Sequence, residues 1–252
     1  MSSSGTPRPR PSFGARIAAT YDELRPLDVG LERLVDDIDR VGDLRGRRLL
    51  DIGCGTGSIT AALVERCLCK AWGVDPSPEM IAEARAKRIP GAGFKVAPAE
   101  ALPFTAGWFE RALMRSVVHH VERPAAFAEA RRVLAPGGRL VIHNLDPDGL
   151  EELWYVRFFP SLLELEQARM PDAGTLEREL GEAGFAPVTV ERVAIEREFD
   201  RETALRKLRG RHTSSFDLLE EDEIAAGLER AEREVPERVR YVLRDLLLVA
   251  ER

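Results

Sequence analysis

Leu49-Leu50-Asp51-Ile52-Gly53-Cys54-Gly55-Thr56-Gly57-Ser58, followed by Ala71-Trp72-Gly73-Val74-Asp75, is the stretch that decides the fold. An apolar run ends in a carboxylate and enters three alternating glycines, which reads as a β-strand passing into a tight turn, with a helix behind it. The glycines permit left-handed backbone and let a ligand approach bare main chain. Asp75 closes the next strand. In a βαβ unit adjacent parallel strands end side by side, so Asp75 projects toward the same crevice as the turn, where a carboxylate can accept both hydroxyls of a ribose. The stretch predicts a site for an adenosine-containing molecule.

The spacing selects among nucleosides. A dinucleotide fingerprint is G-x-G-x-x-G, and counting from Gly53 puts Ser58 in the third glycine's place. Asp51, two residues before the turn, is unwelcome to a pyrophosphate and favourable to an ammonium or sulfonium. A nicotinamide-dependent reductase is the disfavoured alternative on both counts. A protein that binds the cofactor without turnover is a second alternative.

Outward from this stretch, strands and helices alternate. Strands are expected at 48–52, 71–74, 93–96, 111–114 and 139–143, and helices at 59–67, 78–87 and 125–134. Ser77 serves as N-cap with Pro78 at the first helical position. This alternation predicts a doubly wound, mostly parallel α/β sheet. Upstream, Leu31, Leu34, Val35, Ile38 and Val41 form a helical stripe. Downstream, 150–170 reads as amphipathic helix interrupted at Pro160, 175–183 as helix, and 188–199 and 241–250 as strands. The charged stretch 203–236 between those strands reads as a helical insertion.

Beyond the glycine turn, the motifs resemble the class I S-adenosylmethionine-dependent methyltransferases, in particular the small-molecule "type 11" and ubiquinone-biosynthesis-like group. The segment Phe13 to Pro26 is similar to the group's opening F-x-x-x-A-x-x-Y-D-x-x-R-P. Ala99-Glu100-Ala101-Leu102-Pro103-Phe104, His119-His120 and Arg132-Val133-Leu134-Ala135-Pro136-Gly137-Gly138 match its later segments, so the resemblance covers about residues 13–145. A weaker match at Ala183-Gly184-Phe185 extends it.

The resemblance implies a Rossmann-like seven-stranded sheet with its last strand antiparallel, and helical lid insertions at 145–171 and 200–236 on a single domain spanning 13–252. It implies S-adenosyl-L-methionine as cofactor, S-adenosyl-L-homocysteine as product, and a small-molecule O, N or C acceptor methylated by in-line displacement. Gly53, Cys54, Gly55 and Gly57 would line the cofactor, Asp51 would orient its amino group, and Asp75 would bind the ribose. Pro76 and Met80 would lie against the adenine, Ala99 and Glu100 on its other side, Arg115 and Ser116 beneath the sulfonium, and Tyr21 in the N-terminal cover. Two departures stand out. Pro98 occupies a place where the group often has an acidic acceptor for the adenine amino group, and Glu110 replaces an Asp opening the fourth strand.

General-base candidates are His120 and His119, after the fourth strand, with His143 at the end of the fifth as rival; His212 is expected at the surface. Trp154, Tyr155, Phe158 and Phe159 read equally as acceptor pocket or as helix packing. Arg206, Lys207, Arg209 and Arg211 form a short basic run open to two readings, a site for an anionic substrate or, the favoured one, a solvated helix end.

Composition sets the outer bounds. The 252 residues carry 37 Lys and Arg against 43 Asp and Glu, a net charge of −6, with 44% hydrophobic residues. That is one sizeable α/β domain with no clustered basic face, so nucleic acid is not the expected partner. No run reaches membrane-span length. Three cysteines without zinc spacing predict buried thiols, no metal site and a reduced cytoplasmic setting. Residues 1–12 read as a disordered tail. The oligomeric state is not legible.

Overall fold

The computed structural model describes residues 15–24 and 30–252. The tail expected at 1–12, and residues 13–14 and 25–26 of the opening motif, lie outside the described residues. The element order is α1 (Ala15–Leu24), α2 (Leu31–Gly42), β1 (Arg48–Ile52), α3 (Ser58–Cys67), β2 (Lys70–Asp75), α4 (Pro78–Ala86), β3 (Ala92–Val96), β4 (Phe109–Arg115), α5 (Arg123–Val133), β5 (Leu134–Leu145), α6 (Pro160–Arg169), α7 (Ala173–Glu182), β6 (Val188–Asp200), α8 (Arg201–Arg209), α9 (Glu221–Glu234) and β7 (Arg238–Glu251).

The strands form a seven-stranded Rossmann-like sheet in the order β3-β2-β1-β4-β5-β7-β6. β1 to β5 pair in parallel, and β7 runs antiparallel to both β5 and β6. Because successive side chains point to opposite faces, β1 sends Leu50 and Ile52 into one core and Leu49 into the other. Phe127 of α5 and Leu176 and Leu180 of α7 cover the first face; Leu34 and Ile38 of α2 and Leu63 of α3 cover the second. These side chains are fully or nearly fully buried, each contributing on the order of 1.5–3 kcal/mol from burial.

Local chemistry explains the helix starts. Ser77 Oγ accepts from the Met80 amide at 3.2 Å, Asp172 from Thr175 at 2.8 Å, and Asp200 from Thr203 at 2.8 Å. Pro160 begins α6 rather than interrupting a longer helix: the segment before it forms 3₁₀ turns over Pro147–Glu152 and Val156–Phe158, and proline is at home at a first helical position. Glu110, the departure at β4, accepts from the Arg48 amide at 3.1 Å and from Arg47 Nη1 at 3.2 Å, tying β4 to β1.

Two features position the site. The chain runs outward from β1 through β2 to β3, then crosses back to β4, so a crevice opens outside the carboxyl ends of β1 and β4. At the far edge, β6 and β7 are 13 and 14 residues long, well above the usual strand of about 5–6. β7 pairs with β5 only from Asp245 onward. Its first part, Arg238–Arg244, pairs with Ala194–Asp200 alone, as a ribbon overhanging the carboxyl edge of the sheet. The segments 145–170 and 199–243 share a separate hydrophobic cluster above that edge.

Candidate active site

One cavity of about 2000 Å³ occupies the crevice and extends beneath the ribbon. Small-ligand sites run to roughly 300–1,000 Å³, so this one has room for two ligands side by side. Its lining brings together residues from the whole chain.

The turn after β1 forms the cavity's first end. Gly53, Gly55 and Gly57 all have left-handed backbone, with φ of 76°, 53° and 72°. At Gly55 nothing lies within 4 Å of where a Cβ would stand, so bare main chain faces open space. At Gly53 a Cβ would collide with Val117 of the loop after β4. Gly57 is not part of the lining: a Cβ there would meet the Phe94 ring and Ala84, so its role is close packing at the start of α3. Cys54 lines the cavity, and burial pushes its thiol up, away from the reactive thiolate.

Two carboxylates flank the turn. Asp75 Oδ2 accepts from the Gly55 amide at 3.0 Å and Oδ1 from the Ser77 amide at 2.9 Å. Burial raises its pKa, with the two amides acting against that. Each oxygen retains a second lone pair for a ligand hydroxyl. Asp51 is 3% exposed and takes a hydrogen bond from Thr60 Oγ1 at 2.5 Å. Burial pushes it up to about 6, while Thr60 and the charge of Arg115 pull it down. Pro76, Met80, Pro98, Ala99, Glu100, Arg115 and Ser116 complete this end, and Ser116 sits in left-handed backbone at φ 54° just past β4.

A cover lies over the turn. Tyr21 and Asp22 of α1 line the cavity, and Asp22 Oδ1 accepts from Thr56 Oγ1 at 2.7 Å and Ser58 Oγ at 3.0 Å. Lys87 Nζ donates to Asp22 Oδ2 and to the Thr56 carbonyl, both at 2.7 Å, and to Ser58 Oγ. Against the cost of burial, these hydrogen bonds hold Asp22 below the usual carboxylate range. Two residues on, the Leu24 carbonyl accepts from Lys207 of α8 at 3.0 Å. One short helix therefore touches both the glycine turn and the far lid.

The second end carries all four histidines of the chain. His119 Nδ1 lies 3.2 Å from Asn144 Oδ1. His120 sits between Arg169 Nη2, 3.2 Å from its Nδ1, and Ser214 Oγ, 3.5 Å from its Nε2. His143 Nε2 lies 3.2 Å from Asp245 Oδ2, with both side chains buried. His212 is not a surface residue: it lines the cavity, stacked 5.8 Å from the Trp154 ring and edge-on to Tyr155.

The aromatic group divides. Tyr155 lines the cavity, whereas Phe158 and Phe159 are buried in the separate cluster above the carboxyl edge, Phe159 against Phe216 and Gly227. In the basic run, Lys207 faces the cavity; Arg209 pairs with Glu232 and Arg211 with Glu221, each at 2.7 Å. Sequence reading missed Asp22, Glu166, Asn144 and Asp245, and the ribbon residues from Glu196 to Asp200. The unusual length of the 188–199 strand pattern was the one available signal for the ribbon. Among the described residues, no group of three or more His, Cys, Asp or Glu side chains is placed to hold a metal ion, and no helix is long and apolar enough to cross a membrane.

Comparison with known proteins follows the same outline. Residues 50–142 match the model of the family described as "Methyltransferase domain". An uncharacterized methyltransferase of Mycobacterium tuberculosis is 37% identical over 129 residues, which is 51% of this chain and 50% of that protein. The chain thus spans about half the length of the first curated relatives it matches. An O-methyltransferase of Aspergillus nomiae is 31% identical over 167 residues, 63% of this chain and 73% of that one. In architecture, a crystal structure of a protein from an antibiotic biosynthesis pathway of Anabaena variabilis superposes with a TM-score of 0.70 at 22% identity, covering 86% of this chain and 96% of that one. With the glycine turn at the sheet's switch point and a family match across it, the chain belongs to the class I S-adenosylmethionine-dependent methyltransferases.

Proposed function

We propose that this protein is an enzyme that moves a methyl group from S-adenosyl-L-methionine to a small-molecule acceptor held under the lid, in a reduced, cytoplasmic setting. The observation that carries the reading is the pair of carboxylates at the turn: Asp75, anchored to the Gly55 and Ser77 amides, and the buried Asp51. This donor set fits a sulfonium nucleoside. Asp75 offers two oxygens to vicinal hydroxyls, Gly55 offers bare backbone, and Asp51 offers negative charge to an ammonium. Pro76 and Met80 on one side and Ala99 and Glu100 on the other would flank the base. Pro98 has no side-chain acceptor, so recognition of the adenine amino group would fall to main chain or Glu100. Arg115 and Ser116 would stand beneath the reacting centre, and Tyr21 would close over it.

When bound, the cofactor supplies an already activated methyl group. The protein's contribution is then to align donor and acceptor and to exclude water, which can lower such a barrier by on the order of 7 kcal/mol. The overhanging ribbon and the second hydrophobic cluster provide that enclosure. The lateral room of the cavity fits a second small molecule beside the nucleoside.

Calorimetry with S-adenosylhomocysteine tests this. The wild-type protein should bind it, and Asp75→Ala should weaken binding by about 10- to 100-fold, as expected for lost hydrogen bonds to a charged group. Absence of binding by the wild type would overturn the reading.

A further inference from the structure

We infer that β6 is the interface of a symmetric homodimer, pairing antiparallel with β6 of a second copy of this chain about a twofold axis at Ala194. β6 ends the sheet order, and among the described residues no strand lies on its outer side. An unpaired edge is a template for another chain unless something blunts it, such as a proline, a bulge or charges of one sign. Residues 188–200 contain no proline, and their pairing with β7 is continuous through all 13 residues. Their charges alternate in sign: Glu191, Arg192, Glu196, Arg197, Glu198.

The register with β7 decides which backbone groups face outward. Beyond one end of the pairing the Arg201 amide donates to the Glu237 carbonyl at 3.0 Å, and beyond the other the Glu251 amide donates to the Pro187 carbonyl at 3.0 Å. Hydrogen-bonded pairs alternate along an antiparallel ladder, so the odd-numbered residues of β6 bond to β7. Val190, Arg192, Ala194, Glu196 and Glu198 therefore direct their N–H and C=O groups away from the sheet.

Two copies related by a twofold axis must set outward-facing residues against outward-facing residues, so the allowed registers differ by steps of two. With Ala194 opposite the partner's Ala194, Arg192 faces the partner's Glu196, Glu191 faces the partner's Arg197, and Val193 faces the partner's Ile195. Within this span every charge meets its opposite. Centring the axis on Val193 instead sets Glu191 against the partner's Ile195 and Arg192 against the partner's Ala194. Centring it on Ile195 sets Val193 against the partner's Arg197 and Ala194 against the partner's Glu196. Opposite charges directly across a pair are favourable, and the Ala194 register has the most of them. Within the chain Glu191 accepts from Arg40, Arg192 donates to Asp146, and the Arg197 guanidinium lies against Gly30. The Glu191 and Arg192 side chains are nonetheless 48% and 61% exposed, and carboxylates and guanidinium groups each serve several partners.

The axis also falls where the strand needs support. β7 pairs with β5 only from Asp245, which stands opposite Val193, so β6 beyond that point belongs to the overhanging ribbon. A two-stranded ribbon is marginal by itself. In the dimer, residues 195–198 of each copy lie along 190–193 of the other, the part anchored in a full sheet. The roof of each cavity thus gains a third strand from the partner.

Sedimentation velocity on the full chain tests this. The wild type should dimerise in the micromolar range, and more weakly as salt rises, because the charge pairs are partly exposed. Ala194→Pro removes an outward amide and none from the ladder with β7. It should weaken the dimer by about tenfold or more and leave the far-ultraviolet spectrum unchanged. Ala194→Cys should close into a disulfide-linked dimer on mild oxidation, because facing Cα atoms of a hydrogen-bonded pair lie about 5.5 Å apart and the three native cysteines are buried. Thr189→Cys, opposite the partner's Phe199, should not. Arg192→Glu and Glu196→Arg should each be monomeric alone and should form a heterodimer when mixed, since the mixture restores opposite charges at both pairs. A monomeric wild type, a dimer unmoved by Ala194→Pro, or a link through Thr189→Cys in place of Ala194→Cys overturns the inference. If Ala194→Pro or Arg192→Glu does not fold, the two cysteine variants decide.

Discussion

At Asp51 the protein keeps a carboxylate in a place that costs it stability. Burial raises this group from the ordinary 3.8 to about 6. The native state therefore holds a proton that the unfolded chain releases, so this group's own contribution to stability is greatest below pH 4 and falls as pH rises toward 6. Above that the loss is constant, on the order of 3 kcal/mol for a shift of this size. Asp51→Asn keeps an acceptor for Thr60 Oγ1 and removes the charge. Its melting temperature without ligand should exceed wild type at pH 7.5 and match it near pH 4, while its affinity for S-adenosylhomocysteine falls about tenfold, one charge-assisted contact. In the wild type that affinity should decline on acidification through pH 6; calorimetry at pH 5 and 7.5 measures it. The turn residues and both carboxylates were legible because they lie within one short, locally determined stretch. Gly57 shows the limit: the motif implies a ligand contact, while Phe94, from a strand thirty-seven residues on, decides what the glycine faces.

Helices and strands repeat that lesson. The parallel strands could be read from runs of apolar residues, since burial on both faces leaves a plain signature. The ribbon left only the unusual length of its strand pattern as a trace, because its alternation looks the same whether a strand lies within the sheet or beyond it. Asp245 was hidden for a related reason: its partnership with His143 exists only through the register of β5 on β7, about a hundred residues apart. The lid's internal packing makes a sharp prediction. A Cβ on Gly227 of α9 would stand 2.2 Å from the Phe159 ring and 2.8 Å from the Phe158 carbonyl. Gly227→Val should destabilise the protein by about 1–3 kcal/mol through overpacking, seen in denaturant melts, with S-adenosylhomocysteine binding less affected than stability. At α1, Asp22→Ala removes the latch from Thr56, Ser58 and Lys87. Affinity for the nucleoside should drop by roughly fivefold, about 1 kcal/mol for a partly exposed pair, and proteolysis near α1 should quicken.

The molecule as a whole has two centres of burial. The sheet and its flanking helices form one, with clusters on both faces; the segments after β5 and between β6 and β7 form the other. Local opening is easiest where apolar contact is least extensive. Hydrogen exchange should therefore be slowest in β1, β4 and β5 and faster in α6, α8 and α9, with ligand slowing the second group most; uniform protection would contradict this. The alternating core was evident from the chain alone. The joining of two distant insertions into one cap was not, since long-range apolar association leaves no periodic trace. The strut formed by α1 has a kinetic corollary. Asp22 and Leu24 tie the glycine turn and Lys207 to the same two turns of helix, so movement of α1 would loosen both together. Under the proposed methyl transfer the expected kinetics are ordered, donor first on and its spent form last off, and product-inhibition patterns check that order.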